Sequence, residues 1–156
     1  FVLNDKKSWD LFFEARHSMP ELAFQETKKV DGISVITDTI VPPESFKESL
    51  FEIHKIIRDA KIEYLLFGHL GDCHLHFHLI PSKNQQEKAF GVYTEIVKIS
   101  SNLGGVYSAE HGTGKRKKSD FLNCYGMQAA NELKISKLCL DPNMLVNRGN
   151  IIDYKC

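Results

Sequence analysis

The sequence predicts an α+β domain: an antiparallel sheet with helices on one face, followed by a helical C-terminal segment. Three observations point to it. Stretches with apolar residues at three- and four-residue steps alternate with short runs rich in apolar and β-branched residues. Two of those runs, "EYLLFGHL" and "HLHFHLIP", are separated only by a Gly-Asp turn. Glycine and proline punctuate the runs at Gly32, Pro42, Pro81 and Gly104-Gly105.

In chain order, "SWDLFFEARHSMPEL" reads as a helix up to about His17. Pro20 is expected to break or restart it, because proline lacks the amide proton and crowds the preceding turn. "GISVITDTIVP" is β-branched and bounded by Gly32 and Pro42, so a strand. "PPESFKESLFEIHKIIRDAK" opens on two prolines and carries Phe46, Leu50, Ile53, Ile56 and Ile57 on one helical stripe. "EYLLFGHL" and "HLHFHLIP" form a hairpin closed by Pro81. "NQQEKAFGVYTEIVKISSNLGG" is a second helix, with Phe90, Tyr93, Ile96, Val97 and Leu103 in step and Gly104-Gly105 as its stop. "VYSAEHG" reads as a last short strand, and "SDFLNCYGMQAANELKISKLCLDP" as a helical region ending at Asp141-Pro142. The order over about 32–110 is β-α-β-β-α-β, the split βαβ or ferredoxin-like arrangement. It implies a four-stranded antiparallel sheet with both helices on one face and a helical tail over about 117–156. The other face is left open to a partner domain, a ligand or another copy of the chain.

The chain has 156 residues, 42% apolar and 26% charged, which fits one domain with a real core. Twenty basic and twenty acidic residues balance, so nothing marks a nucleic-acid footprint. No apolar run approaches the roughly 18–20 residues of a membrane span. The start "FVLNDKKSWD" has no signal layout and no initiator Met, and the chain is expected to be a piece of something longer. Cys73, Cys124, Cys139 and Cys156 show no metal-knot spacing and are expected as reduced thiols.

The stretch "FGHLGDCHLHFHLIP" holds four of the seven histidines. Strand side chains alternate, so His74, His76 and His78 share one face and Leu75, Phe77 and Leu79 the other. The apolar set should meet the helices, which leaves the histidines on the open face, with His69 across the hairpin. The expected last strand brings Glu110 and His111 toward His69 and His76. Histidines joined by a carboxylate suit zinc and similar metals. On pattern alone a metal site and a metal-free proton-transfer site stand side by side, against the blander reading of a surface histidine row. "GTGKRKK" lacks the phosphate-loop spacing. Lys115 to Lys118 read as a solvated helix start, and Gly112 and Gly114 as turn formers beside a ligand.

Four motifs carry a resemblance. "GHLGDCHLH" is similar to the G-H-x-G-D-G-N-x-H of FAD-linked oxidases related to vanillyl-alcohol oxidase. "SAEHGTGKRK" resembles their S-x-E-H-G-x-G-x-x-K, and "LDPNMLVNRGNI" their L-D-P-x-x-x-x-N-P-G-K-I. "ARHSMPE" with "ITDTIVPPE" resembles the approach to the same domain. The branch is that of D-lactate dehydrogenase, glycolate oxidase and D-2-hydroxyglutarate dehydrogenase.

The resemblance implies the C-terminal substrate or cap domain of a larger flavoprotein, whose FAD is held mainly by a domain not contained in this chain. It implies oxidation of a 2-hydroxy acid to the 2-oxo acid with hydride transfer to flavin. His69, His76 and Glu110 match the residues that bind a divalent metal, zinc or manganese, and His111 matches the general base. Arg16 matches the arginine that pairs with the substrate carboxylate, and Asn147 the Asn near the flavin. Substrate contacts are also expected from His74 and His78. Implied partners are the hydroxy acid, the FAD-binding domain, an iron–sulfur electron acceptor and a second copy of the chain. The implied setting is cytoplasmic, peripheral to a membrane in the whole protein.

The chain departs from the motifs at four places. Cys73-His74 stands for Gly-Asn, and Cys73 needs backbone angles that glycine usually adopts. His78 replaces an Asn that contacts substrate in the hydroxyglutarate branch. Ile36 stands where that branch has a Lys for a second carboxylate, which argues against a dicarboxylate substrate. Arg148 replaces the Pro of N-P-G. Two other functions compete with the flavoenzyme: a stand-alone metal-dependent hydrolase using the same histidines, and a non-catalytic ferredoxin-like binding module.

Overall fold

In the computed structural model, which describes residues 4–152, three strands form an antiparallel sheet in the order β1-β3-β2. They are β1 (Val35–Ile36), β2 (Glu63–His69) and β3 (His74–Ile80). The helices are α1 (Lys6–Lys29), α2 (Phe46–Ala60), α3 (Gln86–Asn102) and α4 (Lys118–Leu140). The fold is α+β, as the sequence reading has it, with β3 at the centre of the sheet.

The core lies between the sheet and α2 with α3. Phe77 and Leu79 from β3 meet Ile53 and Ile57 from α2 and Ala89, Val92 and Ile96 from α3. Ile57, Leu79 and Ile96 are completely buried. Each contributes about 1.5–3 kcal/mol by leaving water. Phe90, placed on the buried stripe by its spacing, is instead exposed. Helix α2 follows a 3₁₀ turn at Pro43–Ser45 and stops at Lys61, which takes a left-handed conformation.

Three expectations need correction. The fourth strand does not form: Val106 and Ser108 make only isolated bridges, to Ile40 and Asp38, at the β1 edge. The pairing is stopped by a residue distant in the chain, Asp38. Gly105 packs so tightly on the Ile40 carbonyl that a Cβ would collide with it. Beyond Ser108 the chain turns inward, and the amides of Glu110 and His111 bond the Asp38 side chain instead of a strand partner. The "GISVITDTIVP" strand is cut to two ladder residues in the same way, since the Phe77 amide donates to the Thr37 hydroxyl at 3.0 Å.

Second, α1 does not break at Pro20 but runs through it. A single i→i−4 bond is lost there, and Arg16 and Pro20 are both exposed, so water can satisfy the freed carbonyl. Asp5 caps the start by accepting from the Ser8 amide at 2.9 Å. Ala23 and Thr27 are buried under the second half of the helix. Third, the histidine face is not open. Helix α1 crosses it, Thr27 meeting His78 at 3.0 Å, and His74, His76 and His78 are all buried.

Helix α4 covers most of the stretch read as helical from Ser119 to Pro142, is interrupted at Gly126 and ends where Asp141 accepts from the Leu145 and Val146 amides; residues 141–152 of the expected helical tail form turns and bends instead. Cys73, Cys124 and Cys139 are free thiols, and Cys156 lies outside the described residues. Among the described residues no helix is long and apolar enough to cross a membrane.

Candidate metal and substrate site

The site grows from the β2–β3 hairpin. A 3₁₀ turn, Leu70–Asp72, passes through Cys73 at φ 55° and sets His69 directly opposite His74. The strand period then places His76 and His78 beside His74 on the same face. Cys73 does adopt the left-handed angles that the motif glycine would take without strain.

The second half is the loop carrying Glu110 and His111, and Asp38 holds it. This carboxylate is fully buried. It accepts from the Ser108 hydroxyl at 2.6 Å, the His111 amide at 2.9 Å and the Lys117 ammonium at 3.1 Å. The Glu110 amide at 3.3 Å and His74 Nε2 at 3.2 Å complete the set. Burial alone would push the Asp38 carboxyl up. The Ser108 hydroxyl, the His111 amide and Lys117 outweigh it and hold the group well below the usual carboxylate range. Lys117 is therefore no solvated helix-start residue; its ammonium joins Asp38 to the Ser108 hydroxyl, 3.0 Å away. Gly112 and Gly114 both have positive φ, as the turn back to Lys117 requires.

With the loop so anchored, Glu110 and His111 face the strand. His76 Nε2 is 3.0 Å from one Glu110 oxygen, and His69 Nε2 is 3.6 Å from the other. The His111 ring stacks on His76 at 5.0 Å between centroids and 6° between planes. His111 Nδ1 lies 3.8 Å from Asp38, and Nε2 lies 3.7 Å from Glu110. Burial tends to raise the Glu110 carboxyl, but the three neighbouring imidazoles of His69, His74 and His76 bring it below its ordinary value. Burial, then His76, push His74 down; burial alone pushes His78 down.

The donor set fits a divalent cation. His76 Nδ1 lies 3.0 Å from the Thr37 carbonyl, which can only accept, so the ring proton sits on Nδ1. Nε2 then turns a lone pair toward Glu110, whose carboxylate also offers only lone pairs. Two acceptors 3.0 Å apart call for a proton or a cation between them. Ligand atoms of His69, His74, His76 and Glu110 lie within 4.8 Å of one another, and a second group of Asp38, His76, Glu110 and His111 overlaps them. Imidazoles plus a carboxylate, with an outer carbonyl fixing the tautomer, are ligands of a kind a divalent cation accepts.

A cavity of about 400 Å³ opens beside this cluster. Its polar side is His69, His76, Glu110 and His111; its apolar side includes Phe24, Ile36 and Phe67; Arg16 and His17 from α1 stand at it too. The structure therefore brings together His69, His74, His76, His78, Glu110, His111 and Arg16. Asn147 does not join them. It lies at φ 50° in a separate hollow with Gly114, Leu140 and Asn150, tied to the glycine loop where the Ile151 amide donates to the Gly114 carbonyl. Sequence reasoning missed Asp38, Thr37 and the role of Lys117. The signal was present for two of them. Asp38 is a lone acid in a β-branched run, and Ser108 and Lys117 are the two ends of the "SAEHGTGKRK" motif.

Comparison with known proteins shows the family of the chain. Residues 1–151 match the family model described as FAD linked oxidases, C-terminal domain. A D-lactate dehydrogenase of Archaeoglobus fulgidus is 28% identical over 152 residues, covering 97% of this chain and 33% of the relative. A D-2-hydroxyglutarate dehydrogenase of Haemophilus influenzae is 29% identical over 153 residues, 96% of this chain and 15% of the relative. The glycolate oxidase subunit GlcD of Bacillus subtilis is 26% identical over 141 residues, 88% of this chain and 29% of the relative. The chain thus spans a third or less of the length of these relatives.

Proposed function

Because this chain belongs to the family of FAD linked oxidase C-terminal domains, we propose that it is the substrate-binding part of an FAD-dependent dehydrogenase. The substrate is a small 2-hydroxy acid, released as the 2-oxo acid, in keeping with relatives named for lactate, glycolate and 2-hydroxyglutarate. The observation that carries this reading is the meeting of His69, His76, Glu110 and His111 on one side of a cavity that Arg16 also lines.

Arg16 takes the substrate carboxylate with its planar fork. His69, His76 and Glu110 hold the cation, zinc or manganese, and Thr37 keeps the His76 proton on Nδ1 so that Nε2 can coordinate. When bound, the flavin would supply two-electron acceptance and the cation Lewis-acid polarisation of the substrate oxygens. His111 is the base. Asp38 beside Nδ1 favours the proton there and leaves Nε2 to take the hydroxyl proton as the C2–H bond breaks and C2=O forms. The stacked His76 ring and the two amide bonds into Asp38 keep His111 in place. The FAD-binding domain is the first partner in this reading. An iron–sulfur electron acceptor, a second copy of the chain and a cytoplasmic, membrane-peripheral setting follow from the same family likeness.

The test uses the full-length protein under anaerobic conditions. Addition of D-lactate, glycolate, D-2-hydroxyglutarate or a larger 2-hydroxy acid should bleach the flavin absorbance with release of the 2-oxo acid. A flavin that no 2-hydroxy acid reduces would reject the reading.

A further inference from the structure

A second cavity lies behind the wall of the first. Phe24 and Ile36 line both, and beyond them a space of about 520 Å³ opens against α3 and the start of α4. Phe90 adds to its apolar lining, and Tyr93, Arg116 and Asp120 stand on its polar side. The oxidation proposed above uses none of these last three.

Asp120 sits in the first turn of α4 and is only 7% exposed. The Tyr93 hydroxyl donates to its Oδ2 at 2.9 Å. Burial, then the charge of Asp120, push the Tyr93 hydroxyl well above its ordinary value, so the phenol keeps its proton and stays a neutral donor. No ion pair among the described residues involves Asp120. Lys117 lines the same cavity but gives its ammonium to Asp38, 3.1 Å away. A buried carboxylate with one neutral donor and no counter-charge is costly, because it has left water without full replacement. The cavity is the open side from which a cationic group can reach it.

Arg116 supplies the opposite pole. It lies in the turn that leads into α4, is exposed, and pairs with no carboxylate among the described residues, Asp120 included. Its planar fork suits an incoming carboxylate. Between the two poles, Phe24 and Phe90 are both half-exposed and offer apolar ring surface.

From this we propose that the second cavity binds a free α-amino acid with an apolar side chain. Its ammonium meets Asp120, its carboxylate meets Arg116, and its side chain lies along Phe24 and Phe90. A plain amine would face Arg116 and Lys117 without an anion of its own, and a plain acid would leave Asp120 unpaired. The inference goes beyond the dehydrogenase reading and does not rest on it.

The test is calorimetry on the full-length protein with probes of one shape: each enantiomer of phenylalanine, 3-phenylpropanoate without the ammonium, and 2-phenylethylamine without the carboxylate. One enantiomer of phenylalanine should bind about tenfold or more tightly than either truncated probe. Arg116→Gln and Asp120→Asn should each weaken that binding about tenfold or more. Arg16→Ala, in the substrate cavity, should leave it unchanged. Arg116 is exposed and unpaired, so its variant keeps the test sound even where Asp120→Asn folds poorly. Absence of phenylalanine binding, equal binding of the probes, or binding that survives Arg116→Gln would overturn the inference. Loss on Arg16→Ala alone would assign the amino acid to the substrate cavity and overturn it too. Each of these outcomes is read from binding, so it stands apart from whether a 2-hydroxy acid reduces the flavin.

Discussion

Strand β3 has two faces, both buried and held by different physics. Phe77 and Leu79 pack on α2 and α3 in a dry core, where each side chain is replaceable by another of similar volume. His76 and His78, one residue away, point into a layer whose members are fixed by partner identity: Thr37, Glu110, Thr27 and Ser34. The comparison teaches that burial alone does not separate a structural face from a working one. What separates them is whether the buried groups are complete among themselves. The apolar face is complete, whereas the histidine face leaves Nε2 of His76 against a carboxylate and Nδ1 of His78 with nothing.

The largest expected effect lies at the rim of the polar face. His111→Asn in the full-length protein should lower kcat by about a hundredfold or more while shifting stability by no more than about 0.5 kcal/mol, since the side chain is half-exposed. Steady-state kinetics beside a urea titration checks both. A large loss of stability with modest kinetic change would make His111 structural.

Next come paired substitutions, one per face. Asp38→Ala strands Lys117 and the loop amides, and should cost about 3–5 kcal/mol together with the metal site. Leu79→Ala should cost about 2–5 kcal/mol and leave metal stoichiometry unchanged in the folded protein. Similar stability losses with opposite metal outcomes would sharpen the comparison; equal metal loss in both would break it.

The faces should also differ in pH response. His74 and His78 have folded values below their ordinary one, so the unfolded chain takes up their protons first as pH falls. Their contribution is present above about pH 6.5 and declines below it. Asp38, held below the ordinary carboxylate range, contributes above about pH 4 and loses that contribution on further acidification. Denaturation of metal-free protein between pH 7 and 3 should show both limbs, and Asp38→Asn should flatten only the lower. The smallest effect is at the turn joining the faces: Cys73→Gly should stabilise by about 0.5–1 kcal/mol, read as a higher Tm, by removing left-handed strain.

Much of this was legible in the sequence because it is local. The alternation in "HLHFHLIP" sorts β3 into its faces, and the helical steps of Ile53, Ile57 and Ile96 place the core. The motif order also brings His69, His76, Glu110 and His111 together before any coordinate is seen. What stayed hidden depends on contacts distant in the chain. The burial of His78 requires Thr27, 51 positions earlier, and an α1 that continues through Pro20. Lys117 looks solvated among its basic neighbours until Asp38, 79 positions earlier, is placed beside it. The missing fourth strand has the same cause, because the Asp38 side chain outcompetes a strand partner for the amides of Glu110 and His111.

The most direct test of the central claim, that the polar face is a cation and substrate site, is the metal content of the purified full-length protein beside His76→Ala and Glu110→Ala. The account predicts about one divalent metal ion per chain in the wild type, lost in both variants while the circular dichroism spectrum is kept. A metal-free wild type that oxidises a 2-hydroxy acid at full rate, unaffected by chelator, would contradict it.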